Sequence, residues 1–236
     1  MEPVYKRILL KLSGEGLAGA DKFGINPDVV ARLAQEIAAI RRLGVEVCLV
    51  IGGGNFFRGA KNAGATMDRS VADQIGMLAT VMNALAMKSA LDAIDCAATV
   101  YSGFAVPQAC ESYSFRKAIK SLENGEVVIF AGGTGSPYFT TDTGAALRAA
   151  EMHCDVLMKA TQVDGVYSAD PRYDSTAVRF DEIGYDEVIA KHLNVMDMTA
   201  IAFVRDAEIP VMIFAQAGES ALVNAVCGKA KHTMIK

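Results

Sequence analysis

Two lysines sit where apolar strands would be expected to stay dry. Lys11 in LLKLSG and Lys159 in LMKATQ each fall near the end of a run otherwise fit for burial. An unpaired buried ammonium costs about several kcal/mol, so each needs an anionic partner or a path to water. A lysine reaching the sheet rim meets the second need; two at strand ends favour the first, a bound anion. Phosphoryl transfer calls for this arrangement, with fixed cations around a loose, metaphosphate-like group. The strand ends around them read SGEG, GGGNFFRG, AGGTGSPYFTTD and KATQVDG. Glycine lets backbone amides come close to phosphate oxygens, and helix N-termini beyond add partial positive charge. One such loop is what any turn requires, whereas several at one sheet edge point to phosphate.

Other side chains carry two readings each. Asp142 follows two threonines at a helix start, either as an N-cap or first-turn acid or as the carboxylate that holds both lysines. Arg58, just past GGG, suits a phosphate fork or a solvated surface. Asp73 in VADQIG is an exposed helix acid or an acceptor for ribose hydroxyls. Asp164-Gly165 reads as a tight turn, Tyr167 after it as a base-stacking or packing ring, and Asp170-Pro171 as a turn starter.

Several chemistries are excluded. There is no GxxxxGK[ST], so a P-loop enzyme is not indicated. Gly14-Glu15-Gly16-Leu17-Ala18-Gly19 matches GxGxxG, but the helix signal Asn26-Pro27 comes too late for a dinucleotide turn. The five cysteines are scattered without a CxxC pair, and the three histidines show no ligand spacing, so no protein-held metal is expected. A net charge of −4 argues against nucleic acid or anionic membrane as partner. MEPVYKR runs directly into a strand without a signal-peptide pattern, which leads us to expect a soluble cytoplasmic protein.

The elements that must position these groups alternate regularly. Strands are expected at 7–14, 46–54, 96–103, 126–133, 155–161 and 209–215. Helices are expected after Asn26, over 73–94, near 114–124 and 142–153, and over 185–193, 197–207 and 220–228. The helix around 76–87 is apolar nearly all round, so it is central or an interface. Residues 162–180 form the longest polar stretch and are expected as a loop. With 52% hydrophobic and 21% charged residues, the chain is globular. The expectation is an α/β fold of three layers, αβα, with an open and mainly parallel sheet, in one domain over 1–236.

Taken together, KLSGE, GGGNFFRG, GTGSPYFTTD, KATQVDGVYSADP and VMDMTA resemble the bacterial uridylate (UMP) kinases of the amino acid kinase family over essentially the whole chain. The resemblance implies transfer of phosphate from ATP to UMP, with Mg²⁺ on the ATP phosphates. It assigns Lys11, Leu12, Ser13, Gly14, Gly54, Arg58, Thr161, Tyr167 and Asp170 to ATP. It assigns Gly53, Asp73, Thr134, Gly135, Ser136, Pro137, Tyr138, Phe139, Thr140 and Thr141 to UMP. Lys11, Lys159, Asp142 and Arg58 would be catalytic, with Asp197 a further candidate. The part before about residue 155 would be mainly the UMP site and the rest mainly the ATP site. A homohexamer is implied, as are GTP activation, through Gly19, Ala20, Asp21, Lys22, Phe23 and Gly24, and UTP inhibition. Ser136 stands where many relatives carry Asn. The alternatives are a carboxylate or carbamate kinase of the same fold and a non-catalytic nucleotide-storage protein.

Overall fold

The computed structural model describes residues 2–57, 67–171, 173–193 and 195–236. Its strands are β1 (Arg7–Leu12), β2 (Glu46–Ile51), β3 (Ala98–Ser102), β4 (Glu111–Ser112), β5 (Val127–Ala131), β6 (Val156–Thr161), β7 (Val166–Tyr167), β8 (Arg179–Phe180), β9 (Glu182–Ile183), β10 (Val211–Ala215) and β11 (His232–Ile235). The α-helices are α1 (Pro27–Arg42), α2 (Arg69–Asp92), α3 (Phe115–Glu123), α4 (Thr141–Glu151), α5 (Tyr185–Ala190), α6 (Met198–Asp206) and α7 (Ala221–Val226).

Nine strands form one sheet in the order β4-β3-β5-β2-β1-β6-β10-β11-β9. Every neighbouring pair is parallel except β10 and β11. The β1 strand lies between β2 and β6, so the chain reverses its direction of travel across the sheet there. In open α/β sheets such a switch point leaves a crevice at the carboxyl ends of the strands.

Period-2 alternation then sorts the side chains. Ile8, Leu10 and Leu12 enter one core with α1 and α2, and Leu9 enters the other with α3 and α4. Leu157 of β6 shares the face of Leu9. Two residues further along, Lys11 and Lys159 share that face as well. They are direct register partners in adjacent strands.

The expected elements are present, with differences at their edges. The α1 helix starts where expected, Asn26 Oδ1 accepting from the amides of Asp28 and Val29. The α2 helix begins earlier than its apolar pattern suggests, because Asp68 caps it through Ser70 N. The polar stretch 162–180 is not all loop, since it carries the antiparallel pair β7–β8. The short strands β4 and β9 and the antiparallel β11 add to the expected sheet. Strands this short carry too little alternation to be seen in sequence.

Behind the crevice lies a buried amide pair. Asn83 Nδ2 donates to Gly52 O and to Asn55 Oδ1, both at 2.7 Å. Asn55 Nδ2 donates to Asn83 Oδ1 at 2.9 Å and to Gly24 O at 2.7 Å. The pair ties α2, the glycine loop after β2 and the 19–24 segment into one unit. Replacing Asn83 with alanine leaves buried acceptors unpaired and should cost about 1–3 kcal/mol. Thermal unfolding should show this as a drop of about 2–4 °C for each kcal/mol lost; an unchanged midpoint would refute the bracing role.

Candidate active site

Lysines directly opposite on neighbouring strands repel, so the pair must be compensated. The compensation is Asp142, in the first turn of α4, whose alanines Ala145, Ala146 and Ala149 pack the helix against the lysine-bearing face of the sheet. Thr140, not Asp142, is the N-cap, its hydroxyl accepting from the amides of Asp142 and Thr143. Asp142 is thereby free to face the sheet. Its Oδ1 lies 3.0 Å from Lys11 Nζ and its Oδ2 2.9 Å from Lys159 Nζ. All three side chains are at least 85% covered, with exposures of 13%, 15% and 15%. At its far end α4 is pinned by buried Arg148, which lies 3.6 Å from the centre of the Tyr113 ring and shares Glu151 with the Tyr113 hydroxyl.

The two lysines are held differently. Lys159 donates to Asp142 Oδ2 and to the carbonyl of Val195 at 2.5 Å. Lys11 sits at ion-pair distance from Oδ1, yet that buried oxygen accepts no aligned hydrogen bond. Lys11 thus has Asp142 as its partner, whereas Lys159 has a backbone carbonyl as well. Burial by itself would raise the Asp142 carboxyl, but Lys11 and Lys159 together hold it below the usual aspartate range. Lys159 shifts the other way from a simple salt bridge: its burial, with Lys11 nearby, outweighs Asp142 and lowers it. Asp142 is shared between the two ammonium groups, and Asp197 adds a weaker attraction on Lys159.

Two cavities meet at this cluster. The first, about 380 Å³, is lined by Lys11, Ser13, the 52–54 glycines, Asp73, Thr80 and residues of the 133–142 segment. The second, about 470 Å³, is lined by Lys11, Ser13, Gly16, Lys159, Thr161 and Gln216 among others. Lys11 and Ser13 belong to both. The chain turns sharply between them: a Cβ on Gly14 would lie 2.2 Å from Gly52 O, so only glycine fits. Gly135 is likewise confined, with φ of +87° and a would-be Cβ 2.3 Å from Gly103 O.

The sequence and the fold that carry these two cavities are matched by known proteins. Residues 6–215 match the amino acid kinase family. The chain belongs to that family. It is 51% identical to the uridylate kinase of Paramagnetospirillum magneticum over 98% of this chain and 96% of that protein. It is also 51% identical to the uridylate kinase of Hyphomonas neptunium, over 98% and 92%. Among solved structures, UMP kinase from Ureaplasma parvum superposes with a TM-score of 0.93 at 34% identity, covering 98% of both chains. UMP kinase from Bacillus anthracis gives 0.91 at 35%, covering 98% and 96%.

On this amino acid kinase scaffold the expected site residues divide unevenly. Lys11, Ser13 and Thr161 line the second cavity, whereas Gly14 and Gly54, expected beside them, line the first. Leu12 is fully buried in the core. Tyr167 lines neither cavity and donates its hydroxyl to Asp164 at 2.6 Å. Asp170 also lines neither. Gly53, Asp73, Thr134, Ser136, Phe139, Thr140 and Thr141 line the first cavity, whereas Gly135, Pro137 and Tyr138, expected with them, do not. Arg58 lies outside the described residues. Asp197 caps α6 through Ala200 N and accepts from the hydroxyls of Thr140 and Thr143, joining the starts of α4 and α6. Sequence reasoning missed Arg69, Thr80, Arg32 and Gln216 as lining residues. Gln216 follows the end of β10 and was accessible to the strand-end rule; the other three lie on helices, where only packing reveals which face meets a cavity.

Because the folded Asp142 titrates lower than the unfolded one, the unfolded state binds more protons in acid. Its contribution to stability should be complete above about pH 4 and lost as pH falls through the lower folded value. Urea unfolding followed from neutral pH into acid should show a steeper acid limb for wild type than for Asp142→Asn. Parallel limbs would refute the ionised cluster.

Proposed function

We propose that this chain phosphorylates UMP to UDP with ATP, with UMP in the first cavity and ATP in the second. The observation that carries the reading is Lys11, which borders both cavities and is the less committed of two ammonium groups on one carboxylate. The acceptor identity is supported by full-length relatives named uridylate kinase and by neighbours named UMP kinase.

In this reading the transferred phosphoryl group lies against Lys11, Lys159 and the amides after β1. Positive charge fixed before the reaction stabilises the charge that spreads over the equatorial oxygens. Asp142 keeps both amines oriented and takes no proton, its carboxyl being held ionised. Asp73 accepts the ribose hydroxyls of UMP. Mg²⁺ bound with ATP would supply charge neutralisation on its phosphates. Both Asp142 oxygens are turned to lysines, and among the described residues no three His, Cys, Asp or Glu side chains gather as ligands, so the ion would be held mainly through the nucleotide's phosphates.

The finer parts of the reading are regulatory. GTP activation through Gly19–Gly24 is supported by the bonds from Gly24 to Asn55, which links that segment to the first cavity's glycine loop. UTP acts as inhibitor. Self-association into a homohexamer is supported by α2: Val71, Leu78 and Met82 fall in one line along it and are 47%, 48% and 44% exposed. Among the described residues no helix is long and apolar enough to cross a membrane.

ADP release measured with UMP, CMP, dCMP and acetylglutamate as acceptors tests the activity, and turnover is expected with UMP. Binding without turnover favours the storage alternative, and turnover with acetylglutamate the carboxylate kinase. Lys11→Met should lower kcat by about 10²–10³, as for loss of one transition-state donor; a near-normal kcat would remove Lys11 from the mechanism. A Leu78→Glu, Met82→Glu double variant should shift the mass in light scattering from oligomer toward the 25.0 kDa protomer. A wild type that is already monomeric would sink the assembly.

A further inference from the structure

Arg69 and Asp73 form an ion pair that helix energetics do not explain. Arg69 is the first residue of α2, where the helix dipole favours acids and opposes cations. The order, cation four residues ahead of the acid, is the less favourable one on a helix. Yet Arg69 Nε donates to Asp73 Oδ2 at 2.7 Å, and the Asp73 side chain is only 11% exposed.

What the pair does becomes visible across the cavity. The same oxygen, Asp73 Oδ2, accepts from Tyr138 N at 2.8 Å. Tyr138 stands in the left-handed region at φ +71°, an uncommon conformation for a bulky residue. The Arg69 guanidinium lies 5.4 Å from the centre of the Tyr138 ring. One carboxylate oxygen thus joins α2 to the 132–140 wall, and Arg69 grips both. Among the described residues, the second oxygen, Oδ1, accepts no hydrogen bond. Asp73 and Arg69 both line the first cavity.

We infer that Arg69 is a positioning residue for acceptor selection: by occupying Oδ2 it fixes the carboxylate so that Oδ1 meets the sugar hydroxyls of a ribonucleoside monophosphate. The inference rests on the reading of Asp73 as the ribose-binding group. It makes the preference for ribose over a sugar lacking hydroxyls depend on a side chain that itself need not touch the sugar.

The test uses the full chain and compares UMP with its dideoxyribose analogue, which lacks both ribose hydroxyls. Wild type, Asp73→Asn, Arg69→Gln and Arg69→Lys are assayed for kcat and for KM of acceptor and of ATP. Arg69→Gln should raise KM for UMP about tenfold, as for loss of one charge-assisted hydrogen bond, with a much smaller fall in kcat and little change in KM for ATP. Its preference for UMP over the analogue should fall by a similar factor, and Arg69→Lys should recover part of it. If Asp73→Asn loses the preference and Arg69→Gln keeps it, the ribose reading stands and the inference about Arg69 falls. If both keep it, the ribose reading falls and takes the inference with it. A loss in Arg69→Gln spread equally over kcat, both KM values and both acceptors means a structural role only and overturns the inference.

Discussion

Two ammonium groups placed in register on adjacent strands cannot share a buried face unless a carboxylate stands between them, and much of the fold provides that carboxylate. The β1–β6 pairing brings Lys11 opposite Lys159. The α4 helix lies across the same face on small residues, with Thr140 as its cap, so that Asp142 points at the sheet. Arg148 and Tyr113 secure its other end, and the Asp197 link secures its start. A buried ion cluster of this kind contributes little net stability, because desolvation offsets much of the attraction. Its value lies in holding charge ready at the point where two cavities join.

The asymmetry within the cluster follows from its partners. Lys159 has a carboxylate oxygen and a backbone carbonyl. Lys11 has charge attraction without an aligned hydrogen bond. The lysine with two partners in the protein is the more firmly fixed of the two. The same logic runs through the acceptor wall, where one Asp73 oxygen is occupied twice and the other accepts nothing among the described residues.

The glycine loops and the buried amides serve opposite needs in one place. Gly14 lets the chain pass within contact of Gly52 O, which no side chain would permit. From behind, Asn83 donates to that same Gly52 carbonyl, and Asn55 to the carbonyl of Gly24. Through Gly24 the cavity floor and the 19–24 turn are joined directly.

Much of this was legible in the chain itself. Alternating apolar runs and helix caps determine the three-layer fold, because burial periodicity and capping are local properties. The glycine-rich strand ends and the two lysines single out one sheet edge, because backbone amides and ammonium groups there suit an anion. Other features depended on distance in space alone. The choice between the two readings of Asp142, as cap or as partner of both lysines, was decided by how α4 lies on β1 and β6, and only the folded chain places Gly14 and Gly54 at the first cavity. Tyr167 and Asp170 carry a recognisable pattern, yet both lie away from either cavity. Arg69 could not be distinguished from any surface arginine until Tyr138, 69 positions later, was seen beside it. Sequence determines what each segment can form, while packing decides which charges meet, because electrostatic pairing depends on separations that the linear order does not contain.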